Sequence, residues 1–297
     1  MALGAILLGA ASVTHGQNLE PRAYVNTPVG MNFLIAGYAF SEGGYSADPA
    51  LPLENAQLYI NTVVLAYARA LDVWGKSGKV DFILPCSELS GSAQFAGQPV
   101  ERHVTGFGDP LFRFSVNFYG APALSLKEFA NYRQDTIVGA SVQVSLPLGQ
   151  YEGSKAVNLG TNRWSIKPDI GVSKALGKFT LELTTSVTFY TENDDFFGGH
   201  TREQNPIYSA QAHLNYDFGR GIWVALDGTY YWGGRTTVNG VQHNDELESS
   251  RIGITFAMPV SRYNSIKLYA NTGLSTRTGS NFTTGGIAWQ YRWGSGL

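Results

Sequence analysis

The sequence predicts an all-β chain, a closed antiparallel up-and-down transmembrane β-barrel of about twelve strands. Three observations carry this expectation. Only 15% of the 297 residues are charged, where a soluble domain has about a quarter. Beyond the N-terminus no apolar run approaches the roughly 20 residues that a membrane helix needs. Instead, apolar and polar residues alternate with period two, segment after segment. A soluble β-sandwich alternates too, with its apolar faces turned inward. Here the segments reach about ten residues, as a tilted membrane strand requires. Aromatic residues also gather near segment ends (Trp164, Tyr190, Trp223, Tyr230, Trp232, Trp289 and Trp293), which suits interfacial girdles.

Taken in order, residues 1–17 read as a signal peptide. The small, apolar run Ala2 to Val13 precedes Thr14-His15-Gly16-Gln17, like an h-region and its cleavage site. A basic n-region is missing, as if the start lay downstream of the true one. Residues 18–297 then form one barrel domain with no linker. Segments near 31–40, 57–71 and 79–84 read as strands of ambiguous facing. Phe112, Phe114, Val116 and Phe118 oppose Arg113, Ser115 and Asn117. Val138, Ala140, Val142 and Val144 oppose Ser141, Gln143 and Ser145. Trp164, Ile166 and Ile170 oppose Ser165, Lys167 and Asp169.

The second half is more regular. Phe179, Leu181 and Leu183 oppose Thr180, Glu182 and Thr184. Tyr208, Ala210, Ala212 and Leu214 oppose Ser209, Gln211, His213 and Asn215. Ile222, Val224 and Leu226 oppose Ala225 and Asp227. Ile252, Ile254 and Phe256 oppose Arg251, Gly253 and Thr255. Ile266, Leu268 and Ala270 oppose Lys267, Tyr269 and Asn271, and Ile287, Trp289 and Tyr291 oppose Ala288, Gln290 and Arg292. Connections near 41–56, 85–106, 148–163, 191–205 and 233–248 are long. Those near 72–78, 174–178, 218–221 and 260–264 are short. Outer-membrane barrels pair long outer loops with short periplasmic turns in this way. Two connections fit less well: the periplasmic one near 120–135 is long, with a small helix expected over Leu124 to Tyr132, and the outer loop near 278–281 is short.

The inward residues decide what a barrel can do. Extrapolated alternation places Arg113, Lys167, Asp169, Glu182, His213, Asp217, Asp227, Arg251, Lys267, Arg277 and Arg292 in the lumen. Charges there escape the penalty of facing lipid. They would either line a mixed-charge solute pathway or pair with one another and close a narrow interior. The Gly- and Asn-rich loop 149–164 offers Gln150, Tyr151, Asn158, Asn162 and Arg163 as constriction candidates, or simply folds the loop. Acidic loop tips at 193–195 and 244–246 would contact divalent cations or lipopolysaccharide, or be solvated; neither has the spacing of a Ca loop.

Catalysis finds little footing. No Gly-x-Ser-x-Gly elbow, His-Glu-x-x-His helix or paired-Cys site occurs. His213 is the only His of residues 18–297 in a predicted strand, and its alternatives are a hydrogen-bonded lumen residue or the base of an outer-membrane hydrolase. Cys86, the one cysteine, reads as an inert loop thiol. No cofactor or metal is implied, and the net charge of -2 gives no reason to propose nucleic acid.

Several stretches together resemble the outer-membrane transporter family named for the MetA pathway of phenol degradation. They are Pro21-Arg22-Ala23-Tyr24 with Pro28-Val29-Gly30-Met31-Asn32-Phe33, Gly106-Phe107-Gly108-Asp109-Pro110, and Pro147-Leu148-Gly149-Gln150-Tyr151. Asn158-Leu159-Gly160-Thr161-Asn162-Arg163-Trp164 and Lys167-Pro168-Asp169-Ile170-Gly171-Val172-Ser173 complete the set, so that the resemblance covers nearly all of residues 18–297. It implies a barrel in the bacterial outer membrane that passes small molecules, aromatic or hydrophobic ones among them. Its partners would be outer-membrane lipid, lipopolysaccharide, the barrel assembly machinery and a small-molecule solute. The family supplies no catalytic residues. Trp293 is followed by Gly-Ser-Gly-Leu, whereas outer-membrane strands commonly finish on an aromatic residue. The competing expectation is a non-conducting structural or surface-binding barrel.

Overall fold

The computed structural model describes residues 20–46, 53–95, 97–277 and 279–297; the expected signal peptide lies outside the described residues. The first half contains β1 (Met31–Ser46), β2 (Leu53–Val73), β3 (Lys76–Phe95), β4 (Gln98–Phe107), β5 (Leu111–Tyr119), the helix α1 (Leu126–Phe129) and β6 (Thr136–Ser145). Then follow β7 (Ser165–Leu176), β8 (Phe179–Tyr190), the short β9 (Asn193–Phe196) and β10 (His200–Gln204), β11 (Ile207–Gly219) and β12 (Ile222–Gly233). Last come the short β13 (Thr236–Val238) and β14 (Val241–Gln242), and β15 (Leu247–Pro259), β16 (Asn264–Thr276) and β17 (Gly279–Gly294).

The main sheet closes on itself. β1 pairs with both β17 and β2, β2 pairs with β3, and every barrel neighbour runs antiparallel. β4 and β5 share β3 as partner, β4 along Cys86–Phe95 and β5 along Gly78–Ile83, so they are two halves of one stave broken at 108–110. The thirteen segments of this sheet therefore make a barrel of twelve staves. Closure satisfies every strand edge, the condition for placing a sheet in lipid.

The outside is apolar, with Val63, Leu65, Leu226 and Ile254 each more than half exposed. Trp164, Trp232, Trp289 and Trp293 add exposed indoles. Stacked rings of Trp289, Tyr291 and Trp293 follow one another along β17. An outward apolar belt around a polar interior is what lipid demands and what water would penalise. Two expected girdle residues face the other way. Trp223 is 1% exposed, because it shares the inward face of Ala225 and Asp227, and Tyr190 lies beneath the guanidinium of Arg163, 4.3 Å from the ring centroid.

Short turns gather at one end. The β2–β3 turn is Trp74-Gly75, both with positive φ (51° and 79°), the left-handed pair that a tight hairpin turn requires. The long connection at this end does hold a helix, α1, closed by a capping box between Ser125 and Glu128. The carboxylate of Glu128 accepts from the Ser125 hydroxyl and backbone N–H, which holds it below the usual range.

At the outer end three expected loops are strand instead. Residues 85–106 form the outer β3–β4 ladder from Cys86↔Phe107 to Phe95↔Gln98, and Cys86 lies in β3, not in a loop. Connections 191–205 and 233–248 build a second sheet, β14-β13-β10-β9. Short, polar segments broken by Gly and Asn hide such strands from a period-two reading.

Candidate functional site

The interior is occupied by the chain itself. From the start of β1, residues 20–30 turn back into the barrel. Val29 N–H donates to the Leu124 carbonyl and Gly30 N–H to that of Ala70, which pins the segment to the short-turn rim. Further in, the Tyr24 ring lies against Gly139 and Gly171, paired across β6 and β7. A Cβ at either glycine would come within 2.4 Å of that ring, so only glycine leaves the slot open. The Tyr24 hydroxyl donates to Asp169, and Asn117 Nδ2 donates to the Tyr24 carbonyl at 3.0 Å. Arg22 gives its backbone N–H to Glu182 Oε2 at 2.6 Å and lays its guanidinium 5.2 Å from the Trp223 ring centroid. Glu20 is within electrostatic reach of Lys267, Lys79 and Arg113.

Around this segment the wall is a layer of charged and hydrogen-bonded polar groups. Arg113 lies 3.6 Å from Asp169, Lys79 3.7 Å from Asp81, and His213 Nδ1 2.7 Å from Asp227 Oδ1. Ser141 bridges Arg113 and Asp169, Ser173 donates to Glu182, and Thr255 donates to the second oxygen of Asp227. Of the lumen residues expected from alternation, Arg113, Lys167, Glu182, His213, Asp227, Arg251 and Lys267 are buried, and the Asp169 side chain is 5% exposed. His213 spends one ring nitrogen on Asp227 within this layer.

Two expectations differ. Arg277 is exposed and reaches Asn244 at the outer rim. The register between β15 and β16 slips between Ser250 and Arg251, and such an irregularity reverses the facing of everything beyond it. Arg292 stands at the short-turn rim, where its guanidinium donates twice to the Arg262 carbonyl.

The outer part of the lumen has another character. Leu58, Ile60, Leu89, Val104, Leu159 and Phe282 form an apolar cluster on the inner face. Beside it the wall above β6 is made by loop 146–164. Asp109 anchors that loop, accepting from Gly149 N–H on one oxygen and from Thr161 N–H and hydroxyl on the other. The motifs Gly108-Asp109-Pro110, Pro147-Leu148-Gly149 and Gly160-Thr161 are therefore one loop clamp.

The constriction candidates brace this loop. Gln150 accepts Gly160 N–H on its carbonyl and gives its own N–H to Phe107. Asn158 bonds to the Glu152 and Lys155 backbone, and Asn162 donates to Asn193. Arg163 reaches Gln204 Oε1 at 2.5 Å. Tyr151 donates to the Asp195 carbonyl, and burial pushes its hydroxyl pKa up. Of the acidic tips, Asp245 is drawn inward and accepts from Thr236 N–H and hydroxyl, while Asp194 and Asp195 stay exposed beside the buried Asn193.

Sequence reading missed residues 20–30 as occupants of the lumen. The signal present was an Arg and a Tyr ahead of the first strand, together with Gly139 and Gly171 on inward strand faces.

The sequence profile of the family described as "Putative MetA-pathway of phenol degradation" matches residues 37–292. A search of curated sequences finds no match. Among solved structures, the COG4313 outer membrane channel from Pseudomonas putida F1 superposes with a TM-score of 0.78 at 21% identity, over 93% of this chain and 100% of that one. The transport unit of the autotransporter AIDA-I from Escherichia coli gives 0.51 at 8% identity over 93% of each chain. The beta domain of the Bordetella autotransporter BrkA gives 0.51 at 8%, over 88% of this chain and 99% of that one. These likenesses establish the barrel fold.

Proposed function

Because the chain belongs to the family of the MetA-pathway of phenol degradation, we propose that it is a passive channel of the bacterial outer membrane for small aromatic or hydrophobic molecules. The solute passes through the lumen when residues 20–30 leave it. One observation carries the reading. The interior of twelve staves takes in a polypeptide segment, seated on the wall by hydrogen bonds and ring contacts. Space that holds Tyr24 and its neighbours holds a small molecule once they move, since barrel width grows with strand number. The P. putida protein of similar fold is itself described as a channel, which supports the reading. In this setting the outward belt contacts outer-membrane lipid and the outer loops face lipopolysaccharide, while the barrel assembly machinery inserts the chain.

The test is planar-bilayer conductance and liposome flux of benzoate, comparing the full chain with one whose barrel begins at residue 31. The full chain conducts weakly and the shortened one strongly. If neither passes ions or benzoate, the channel reading fails and a closed, structural barrel takes its place.

A further inference from the structure

At the outer mouth, a cavity of about 280 Å³ lies between the outer ends of β2, β3 and β4, loop residues 154–157, and the tip of the β9–β10 hairpin. Its walls are largely apolar: Leu58, Phe95, Val100, Val157 and Phe197. Three separate chain segments are knitted together to make it. Phe95 and Phe197 meet edge-on, 6.0 Å between ring centroids at 72°. Gly198 N–H donates to the Gly153 carbonyl, tying the hairpin tip to the loop. Phe197 holds a φ of 27°, a costly conformation for a bulky residue that only surrounding structure sustains.

Two charged donors, Arg102 and Lys155, stand in this wall. Arg102 gives Nε–H to the Val157 carbonyl at 3.2 Å, and its Nη1 is 3.4 Å from Glu152 Oε2. Its Nη2 is buried and has no hydrogen-bond partner among the described residues. A guanidinium that lines a cavity gives charge-assisted bonds to an acceptor oxygen that enters it. Lys155 shares the lining with the carboxylate of Glu101, as Arg102 is paired with that of Glu152. Size narrows the choice further. An apolar cavity of about 150 Å³ holds benzene, so this one has room for one ring and a small substituent.

We propose that this cavity is a capture site for a single-ring aromatic molecule bearing an acceptor oxygen, a carboxylate or a phenol, with Arg102 as the donor that anchors it. The ring fills the space between Phe95, Phe197 and Val100, and the oxygen accepts from Arg102. The site deepens the channel reading and rests on it for its purpose, since the cavity stands at the outer end where solute would enter.

Binding is read by ¹⁹F NMR on the purified full chain with 4-fluorobenzoate, 4-fluorophenol and fluorobenzene. Both oxygenated probes bind more tightly than fluorobenzene. Arg102→Met, which keeps the apolar stem, weakens 4-fluorobenzoate about tenfold or more and leaves fluorobenzene unchanged. Ala156→Trp, which fills the cavity from the loop, abolishes binding of all three. Heat-modifiable migration confirms that each variant is a folded barrel. Ala156→Trp binding all three probes like the parent overturns the proposal, and so does Arg102→Met retaining the preference for oxygen. Flux of 4-fluorobenzoate into liposomes separates the two readings. Binding at the cavity without flux overturns the channel reading alone, and flux with binding indifferent to both substitutions overturns the capture site alone.

Discussion

The inward face of β3 carries opposite chemistry toward its two ends, beside a β2 face that is apolar at both. Toward the short turns it presents Lys79 and Asp81, both nearly buried, opposite Arg113 on β5. Toward the outer mouth it presents Leu89, packed with Leu58 and Ile60 of β2 and with Val104 and Leu159. Period two fixes which face points inward but not what that face must be. The occupant decides. Where residues 20–30 enter, the wall supplies charges and hydroxyls that pair with the entering segment and with one another, as buried polar groups must. Where loop 146–164 folds over the rim instead, apolar contact through Leu159 joins the Asp109 clamp. The segment is thus seated by polar bonds around one packed ring, and the mouth by an apolar cluster beside a hydrogen-bonded loop clamp.

The largest way to break this comparison is to close the slot for Tyr24. A Cβ at Gly171 would lie 2.3 Å from Tyr24 Cε2. Gly171→Val therefore drives the ring out of the lumen while sparing the outer cluster. Conductance in planar bilayers should rise toward that of the chain starting at residue 31, with the barrel still folded. Unchanged conductance would mean that the segment, though seated there, does not block the path.

Next in size is the loss of a charge partner. Asp169 accepts from Tyr24 and Ser141 and faces Arg113 at 3.6 Å. Asp169→Ala takes from buried Arg113 the carboxylate it pairs with at 3.6 Å, a change that costs about 3–5 kcal/mol when one partner of a buried pair is removed. Denaturant unfolding in detergent micelles measures it. A loss well below 1 kcal/mol would show that water already fills this half of the lumen.

How much of this was legible beforehand follows from the same contrast. Leu181 outward and Glu182 inward, or Leu226 outward and Asp227 inward, could be read from alternation because lipid and lumen impose opposite demands on successive residues. Twelve staves could be counted for that reason. What alternation cannot carry is an event along the strand. The slip beside Arg251 turned Arg277 out to the rim. The outer β3–β4 ladder rises beyond the alternating apolar stretch, so residues 85–106 read as a loop. Nor does periodicity announce what fills a cavity: Tyr24 and Arg22 belong to no strand, and their partners Gly139, Gly171 and Glu182 are distant in sequence. Asn158 and Asn162 were visible as loop residues, but their bonds within the loop and to Asn193 depend on tertiary placement.

The smallest expected effect is the sharpest test of the comparison. If the two ends of the lumen are separate units, substitutions in each should add. Leu89 packs among Leu58, Ile60, Val104, Leu159 and Phe282, while Asp169 bonds to Tyr24, Ser141 and Arg113, so the two share no partner among these contacts. Leu89→Ala alone should cost about 2–5 kcal/mol, as emptying a well-packed apolar site does. Combined with Asp169→Ala, the loss should equal the sum of the single losses within about 0.5 kcal/mol. A coupling well above that would mean that seating the N-terminal segment reshapes the mouth. Capture outside and opening inside would then be two ends of one equilibrium, and benzoate at the mouth would change how often the lumen clears.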